Sequence, residues 1–240
     1  FFLLATVSGL AASRSRPGHL SACQPFAATG VRHPTMNMTL SRIHLASRSP
    51  RRRELLAQIG VHFDTLLFRD GQRGDAETDE TPLPGEDPLA YVQRVARAKA
   101  LHGWRCVGWR HLRPQPVLSA DTTLEFQGEI IGKPADAADA AHILHRLSGE
   151  THRVLTAVTV CFETRVETVL SVSEVRFARL DPADIRRYVD SGEPMDKAGA
   201  YGIQGRAGMF VEHLSGSYTG VMGLPLCETA RLLRGFGVAP

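Results

Sequence analysis

A chain of 240 residues, 43% hydrophobic and 22% charged, has an ordinary globular composition and is long enough to enclose one substantial core. It contains no run near the ~20 uninterrupted apolar residues of a membrane-spanning helix, and its net charge of +3 is too mild to argue for a nucleic-acid surface. The four cysteines, Cys23, Cys106, Cys161 and Cys227, stand far apart with no C-x-x-C pair, which excludes a dense disulfide framework and fits a reduced, cytoplasmic protein. Of the ten histidines, only His142 and His145 stand at helical contact spacing, and they read as a helix surface rather than a zinc ligand set.

Residues 1–35 are rich in Ser, Ala, Pro and Gly, carry no sustained period and precede Met36 and Met38, either of which suits a translation start. The opening FFLLATVSGLAASRSR has the short apolar run and small residues of a signal-peptide end but no basic n-region. The reading is a disordered or spurious extension over 1–39, followed by one domain over 40–240.

Ser41 to Ala46 then reads as a strand. Pro50 to Ile59 reads as a helix closed by Gly60, with Leu55, Leu56 and Ile59 on one face. HFDTLLF, residues 62–68, is a second strand. The polar segment RDGQRGDAETDETPLPGED is either a mobile active-site loop or a simple linker. It precedes a helix over Pro88 to Leu101, on which Leu89, Val92, Val95, Ala96 and Lys99 recur at helical spacing. SADTTLEFQGEIIGKP reads as a strand, a turn at Gln127 and Gly128, and a short strand ending near Gly132. An alanine-rich helix over Ala135 to Leu147 follows. Residues 152–163 and 168–180 alternate as two longer strands of a hairpin, and Asp181 or Asp184 opens a helix that Ser191 and Gly192 stop. The last third is dense in glycine until a helix over Leu226 to Leu233. Strands interspersed with helices, some consecutive strands antiparallel, imply an α/β fold with a mixed sheet.

In LASRSPRRRELL, Ser49 stands as N-cap and Pro50 at the first helical position. Arg51, Arg52 and Arg53 then crowd a helix end that favours acidic residues. Taken alone the cluster reads as a solvated helix face; as a site, it implies an anion brought by a ligand, with N–H groups and guanidinium forks receiving phosphate oxygens. Asp121, at the end of an apolar strand in SADTTL, either caps a turn or faces a crevice, where it can bind a hard cation or accept a proton from water. Lys133, across the hairpin, supports phosphate or reaches to solvent. In SGEPMDKAGAYGIQG, Glu193, Asp196, Lys197 and Gln204 occur among small residues that permit close approach, and the Gln204 amide suits the edge of a uracil-like base. Ser217 and Tyr218 read better as a turn into a buried strand. The usual NTPase, hydrolase and dinucleotide loops are missing, so phosphate handling needs another geometry.

Taken in order, LASRSPRRRELLAQIG, DETPLPGEDPLAYVQRVARAKA, SADTTLEFQGEIIGKP, LSGETHRVLTAVTV and YVDSGEPMDKAGAYGIQG, followed by GSYTGVMGLPL, resemble the Maf family of nucleoside triphosphate pyrophosphatases, over roughly Ile43 to Phe236. The resemblance implies an elongated mixed sheet flanked by helices around a central cleft, related to the inosine triphosphate pyrophosphatases. It implies hydrolysis of a nucleoside triphosphate to monophosphate and pyrophosphate with a divalent cation, magnesium or manganese. Arg51 and Arg52 match the family's phosphate-binding arginines and Ser49 its loop serine. Glu80, Lys99, Asp121, Lys133, Asp196 and Lys197 match its other polar positions, with Asp121 the proton acceptor.

Arg51, Thr122 and Gln204 match positions linked to base choice, and IQG resembles the branch acting on dTTP and UTP, with modified pyrimidine nucleotides as further candidates, where the 7-methyl-GTP branch has a sequence such as KSEG. The expected partner is a small nucleotide, not nucleic acid or membrane, and the suggested assembly is a homodimer. Asp121 and Glu80 are the expected metal ligands. Two departures stand out: residues 101–117 look longer and more basic than the usual connection, and a second threonine follows ADT. The rival readings are a nucleotide-binding regulator of cell division or septum formation with weak hydrolysis, and a purine-directed pyrophosphatase.

Overall fold

The computed structural model describes residues 40–68 and 79–240. The expected extension over 1–39 and residues 69–78 of the polar segment lie outside the described residues. Strand β1 (Ile43–Leu45), all buried, leads into helix α1 (Pro50–Gln58) and strand β2 (Phe63–Thr65), which lies parallel to β1. Ser49 is extended and Pro50 presets the first helical φ, but the Ser49 hydroxyl makes no cap bond. Gly60, at φ +75°, turns the chain after α1 in a conformation that an L side chain rarely adopts.

Helix α2 (Pro88–Trp109) departs most from expectation, running on to Trp109 instead of ending at Leu101. Its start is capped by Asp87, whose side chain accepts from Leu89 N, with Pro88 at the first position. Its apolar face continues through Ala100, Gly103, Cys106 and Val107, all buried. Gly103 hides this continuity because it has no side chain; a Cβ there would lie 2.8 Å from Val117 Cγ1. Much of the apparently long connection over 101–117 is therefore helix.

Strands β3 (Val117–Phe126) and β4 (Glu129–Ile131) form a hairpin whose two-residue turn has positive φ at both Gln127 and Gly128. Helix α3 (Ala137–Leu147), the long hairpin of β5 (Thr151–Phe162) and β6 (Arg165–Phe177), and helix α4 (Pro182–Asp190), capped by Asp181, follow as the sequence predicts. Three short 3₁₀ turns lead to strand β7 (Val211–Ser215), which the glycine-dense composition concealed. Ser217 and Tyr218 do not enter a buried strand. Ser217 caps the one-turn helix α5 (Tyr218–Val221) by accepting from Gly220 N, and helix α6 (Leu226–Gly235) closes the domain. No described helix is long and apolar enough to cross a membrane.

The seven-stranded mixed sheet runs β2-β1-β3-β5-β6-β7, with β4 also paired to β3. Along one edge β3 pairs with β5 from Val117 to Glu125. Along the other, β1 pairs with Val117 and Leu118, and β4 with Leu124 to Phe126. Among the described residues, Ser119 to Thr123 have no ladder partner on that second edge, and Asp121 is at the middle of the interruption. The sheet opens there.

Alternation along β3 decides what each side chain meets. Leu118 and Ala120 join a core with Leu55 and Leu56 of α1 and Leu232 and Leu233 of α6, whereas Leu124 joins a second core with Leu144 of α3 and Tyr188 of α4. Burial of each such leucine contributes about 2 kcal/mol. Thr122 falls between the two cores. On the opposite face Ser119 donates to Ala96 O of α2 at 2.6 Å, and Ala157, in register with Asp121, packs on Val92, Val95 and Ala96.

Candidate active site

The interrupted edge of β3 borders a cleft of about 580 Å³ lined by Ser49, Arg51, Arg52, Glu80, Lys99, Asp121, Thr122, Lys133, Asp196, Lys197 and Gln204. Residues from α1, α2, β3 and the loop after α4 thus converge on one hollow. Arg53 is outside it and donates to Arg48 O.

Arg52 is held at three points. Its Nε donates to Gly223 O at 2.9 Å, its Nη1 to Ser47 Oγ at 3.3 Å and its Nη2 to Thr122 Oγ1 at 3.2 Å. Thr122 Oγ1 is 3.0 Å from Thr156 Oγ1, which donates to Gly220 O at 2.8 Å. The Thr122 hydroxyl is therefore part of the lock that aims Arg52. Burial lowers the Arg52 pKa from its ordinary value; Asp121 opposes the shift and neighbouring Arg51 adds to it. Two guanidinium groups at a helix N-terminus, one of them desolvated, make a strong demand for an anion.

From the opposite face, α2 projects Lys99, whose Nζ lies 2.8 Å from both Asp121 Oδ1 and Glu80 Oε1. Tyr91, about two turns earlier on α2, donates its hydroxyl to Glu80 O at 2.8 Å. Burial, then the charges of Asp121 and Glu80, push its pKa up to about 12, so the phenol remains a donor. Arg94 Nη2 donates to Thr81 O at 3.0 Å and pairs with Glu86, fastening the Glu80 segment to α2.

The described residues contain no cluster of three or more His, Cys, Asp and Glu side chains that could hold a metal. Yet two carboxylates, Glu80 and Asp121, already converge on one cationic nitrogen. That donor set fits a hard cation completing its shell with substrate oxygens and water, as magnesium does, and not an all-protein cage.

On the far rim, Lys197 Nζ donates to Glu193 O at 2.5 Å and to Asp196 Oδ1 at 2.6 Å. Burial works against the charged form of Asp196, but the Lys197 hydrogen bond and charge, together with Arg51, hold its carboxyl below the usual range. Lys133 is exposed at the rim. Gln204 sits on a turn closed by Gly205 N donating to Gly202 O at 2.9 Å. Glu193 is the exception among the expected residues. It does not line the cleft, because its carboxylate turns away to Tyr188 and the Arg206 N–H.

Sequence reasoning missed Ser47, Tyr91, Tyr201 and the backbone of Gly223. Tyr91 lies on the apolar face of α2, so its spacing signals core and conceals the hydroxyl.

A family model described as Maf-like protein matches residues 42–236. The chain belongs to the Maf-like family. Among curated relatives, this Maf-like chain is 69% identical to the dTTP/UTP pyrophosphatase of Dechloromonas aromatica, over 83% of this chain and 99% of that protein. It is 64% identical to the dTTP/UTP pyrophosphatase of Aromatoleum aromaticum, over 82% and 96%, and 51% identical to that of Chromobacterium violaceum, over 84% and 98%. Among solved structures it is similar to the Ham1 protein of Staphylococcus aureus, with a TM-score of 0.43 and 15% identity over 70% of this chain and 90% of that one, a likeness too slight to carry an argument.

Proposed function

We propose that this Maf-like protein hydrolyses dTTP and UTP to the nucleoside monophosphate and pyrophosphate. The observation that carries the reading is the shared cleft, in which Arg51, Arg52, Lys99 and Lys133 face the carboxylates of Asp121 and Glu80. Cations alone would suit any anion; cations with a carboxylate directed at their centre suit phosphoanhydride hydrolysis. The three relatives above, each a dTTP/UTP pyrophosphatase, support the substrate class.

In the proposed reaction Arg52, immobilised by Gly223, Ser47 and Thr122, receives phosphate oxygens without having to reorganise, and Arg51 and Lys133 bind from the rim. Such preorganised donors are worth roughly 3 kcal/mol of barrier each. Asp121 orients a water and takes its proton as the water oxygen bonds to the α-phosphorus, and the bond to the bridging oxygen breaks with pyrophosphate leaving. Lys99 steadies the Asp121 and Glu80 carboxylates and lies beside the charge that develops. Asp121, with Glu80, would hold a divalent cation, magnesium or manganese, which when bound supplies neutralising charge on the triphosphate. Gln204, donor and acceptor at once, reads the edge of the pyrimidine, and Lys197 with Asp196 braces that side. Cys161 and Cys227 carry free thiols, which supports the cytoplasm as the place of action.

The test is release of pyrophosphate from dTTP, UTP, CTP, 7-methyl-GTP and inosine triphosphate, with and without a chelator. Preferred turnover of dTTP and UTP, abolished by the chelator and restored by magnesium or manganese, is expected. Preference for 7-methyl-GTP or inosine triphosphate overturns the base assignment. Tight binding of UTP without turnover overturns the enzyme reading in favour of a nucleotide-binding regulator.

A further inference from the structure

The turn that carries Gln204 is gripped from beneath by a carboxylate that never enters the cleft. Glu193 Oε1 accepts from the Tyr188 hydroxyl at 3.2 Å, and Glu193 Oε2 accepts from Arg206 N at 3.2 Å. The same Tyr188 oxygen accepts from Gly202 N at 3.2 Å. Residues 202 and 206, one on either side of Gln204, are therefore tied to one Tyr188–Glu193 pair.

The grip is close as well as bonded. A Cβ on Gly205 would lie 2.0 Å from Glu193 Oε1, so the turn rests directly on the carboxylate. Gly205 has φ −102°, open to any residue, and its bareness is explained by this contact alone. A Cβ on Gly202 would lie 2.8 Å from Lys197 Cε, and Lys197 is itself anchored to Glu193 O. Tyr188 is 1% exposed, and burial together with Glu193 keeps its hydroxyl protonated and able to donate.

We propose that Glu193 is a positioning residue for base selection: through Tyr188, Arg206 N and Gly205 it fixes the turn that presents Gln204, and it does not touch the substrate. This rests on the reading of the cleft as a pyrimidine nucleotide site. The phosphate-facing groups Arg51, Arg52 and Lys99 stand on other elements and need no help from it. A flexible turn would leave Gln204 free to meet several base edges, because an amide without fixed orientation exchanges donor for acceptor by rotation.

The experiment measures kcat and KM for UTP, dTTP and inosine triphosphate, and inhibition by inorganic tripolyphosphate, in the full-length protein and in Glu193→Ala, Glu193→Gln, Glu193→Asp, Tyr188→Phe and Gly205→Ala. Expected is a rise of about tenfold in KM for UTP and dTTP with kcat little changed, a matching fall in preference over inosine triphosphate, and unaltered tripolyphosphate inhibition. Gly205→Ala, which pushes the carboxylate off its partners, should reproduce Glu193→Ala, and Glu193→Asp should recover part of the preference. Equal losses on every substrate with weakened tripolyphosphate inhibition would make Glu193 a general structural residue and overturn the proposal, as would unchanged selectivity in all variants. Glu193→Gln and Tyr188→Phe keep the side-chain volume, so the outcome stands even where Glu193→Ala fails to fold. A wild-type protein with no pyrimidine preference overturns the site reading and this inference together; a selective wild type with equally selective variants overturns this inference only.

Discussion

The ammonium of Lys99 and the carboxylate of Asp121 meet at 2.8 Å across the boundary between α2 and β3, at the point where β3 loses its neighbour on one edge. The Asp121 side chain is 11% exposed and that of Glu80 52%, so Asp121 has the more fixed geometry of the two and is the better placed to direct a water. Asp121→Asn preserves shape but removes the proton acceptor. Its kcat on UTP should fall about 10²–10⁴-fold with UTP affinity changed far less, measured by pyrophosphate release alongside calorimetric binding. Turnover near the wild-type rate would remove Asp121 from the mechanism.

Arg52 tests preorganisation rather than charge. Arg52→Lys retains the cation but cannot serve Gly223 O, Ser47 Oγ and Thr122 Oγ1 in one plane. We expect kcat/KM to drop about 10²–10³-fold, whereas Arg53→Lys, outside the cleft, should leave it unaltered. Equal effects of the two substitutions would show that the lock has no functional weight.

Gly103 reports on the extended α2. A Cβ there meets Val117 Cγ1, on β3, at 2.8 Å and Ala46 Cβ, just past the end of β1, at 3.3 Å. Despite the gain in helix propensity, Gly103→Ala should lower stability by about 1–3 kcal/mol, seen as a lower urea midpoint with an unchanged slope. A stabilised variant would mean that α2 does not lie so close to β1 and β3.

His152 sets part of the acid sensitivity. It is 2% exposed, with Nε2 2.8 Å from the Tyr201 hydroxyl, and burial lowers its pKa from 6.5 to about 4. Because the unfolded chain takes up this proton at higher pH than the folded one, stability is intact above about pH 6.5 and is lost as pH falls toward 4. The loss attributable to this residue is about 2 kcal/mol by pH 5. Denaturant titrations at pH 7 and pH 5 should therefore differ less in His152→Gln than in the wild type; identical differences would rule out the histidine as a contributor.

Much of the framework was legible because its signals act over a few residues. Asp87 with Pro88 and Asp181 with Pro182 start α2 and α4, each acid capping a free N–H and each proline presetting the first helical φ. Gln127 with Gly128 turns a hairpin because Gly128 takes positive φ at no steric cost. Of the three arginines after Ser49, Arg51 and Arg52 line the cleft and Arg53 does not, a division that cations crowded at a helix start do not reveal locally.

Tertiary structure alone decided the rest, because the direction and partners of a side chain depend on what packs against its element. Thr122 and Asp121 are adjacent, yet the strand's alternation sends one to Arg52 of α1 and the other to Lys99 of α2. Gly103 masked the far half of α2 until Val117 was seen to lie against it, and Glu193, apparently one more acid of the site, turned out to face Tyr188 beneath the Gln204 turn. By itself the sequence determined where helices and turns begin and which charges must be satisfied, these being local properties of backbone and side chain. Which charges satisfy one another was settled only by the interrupted edge of β3 and the two cores on either side of Thr122, contacts between residues far apart in the chain that no local signal records.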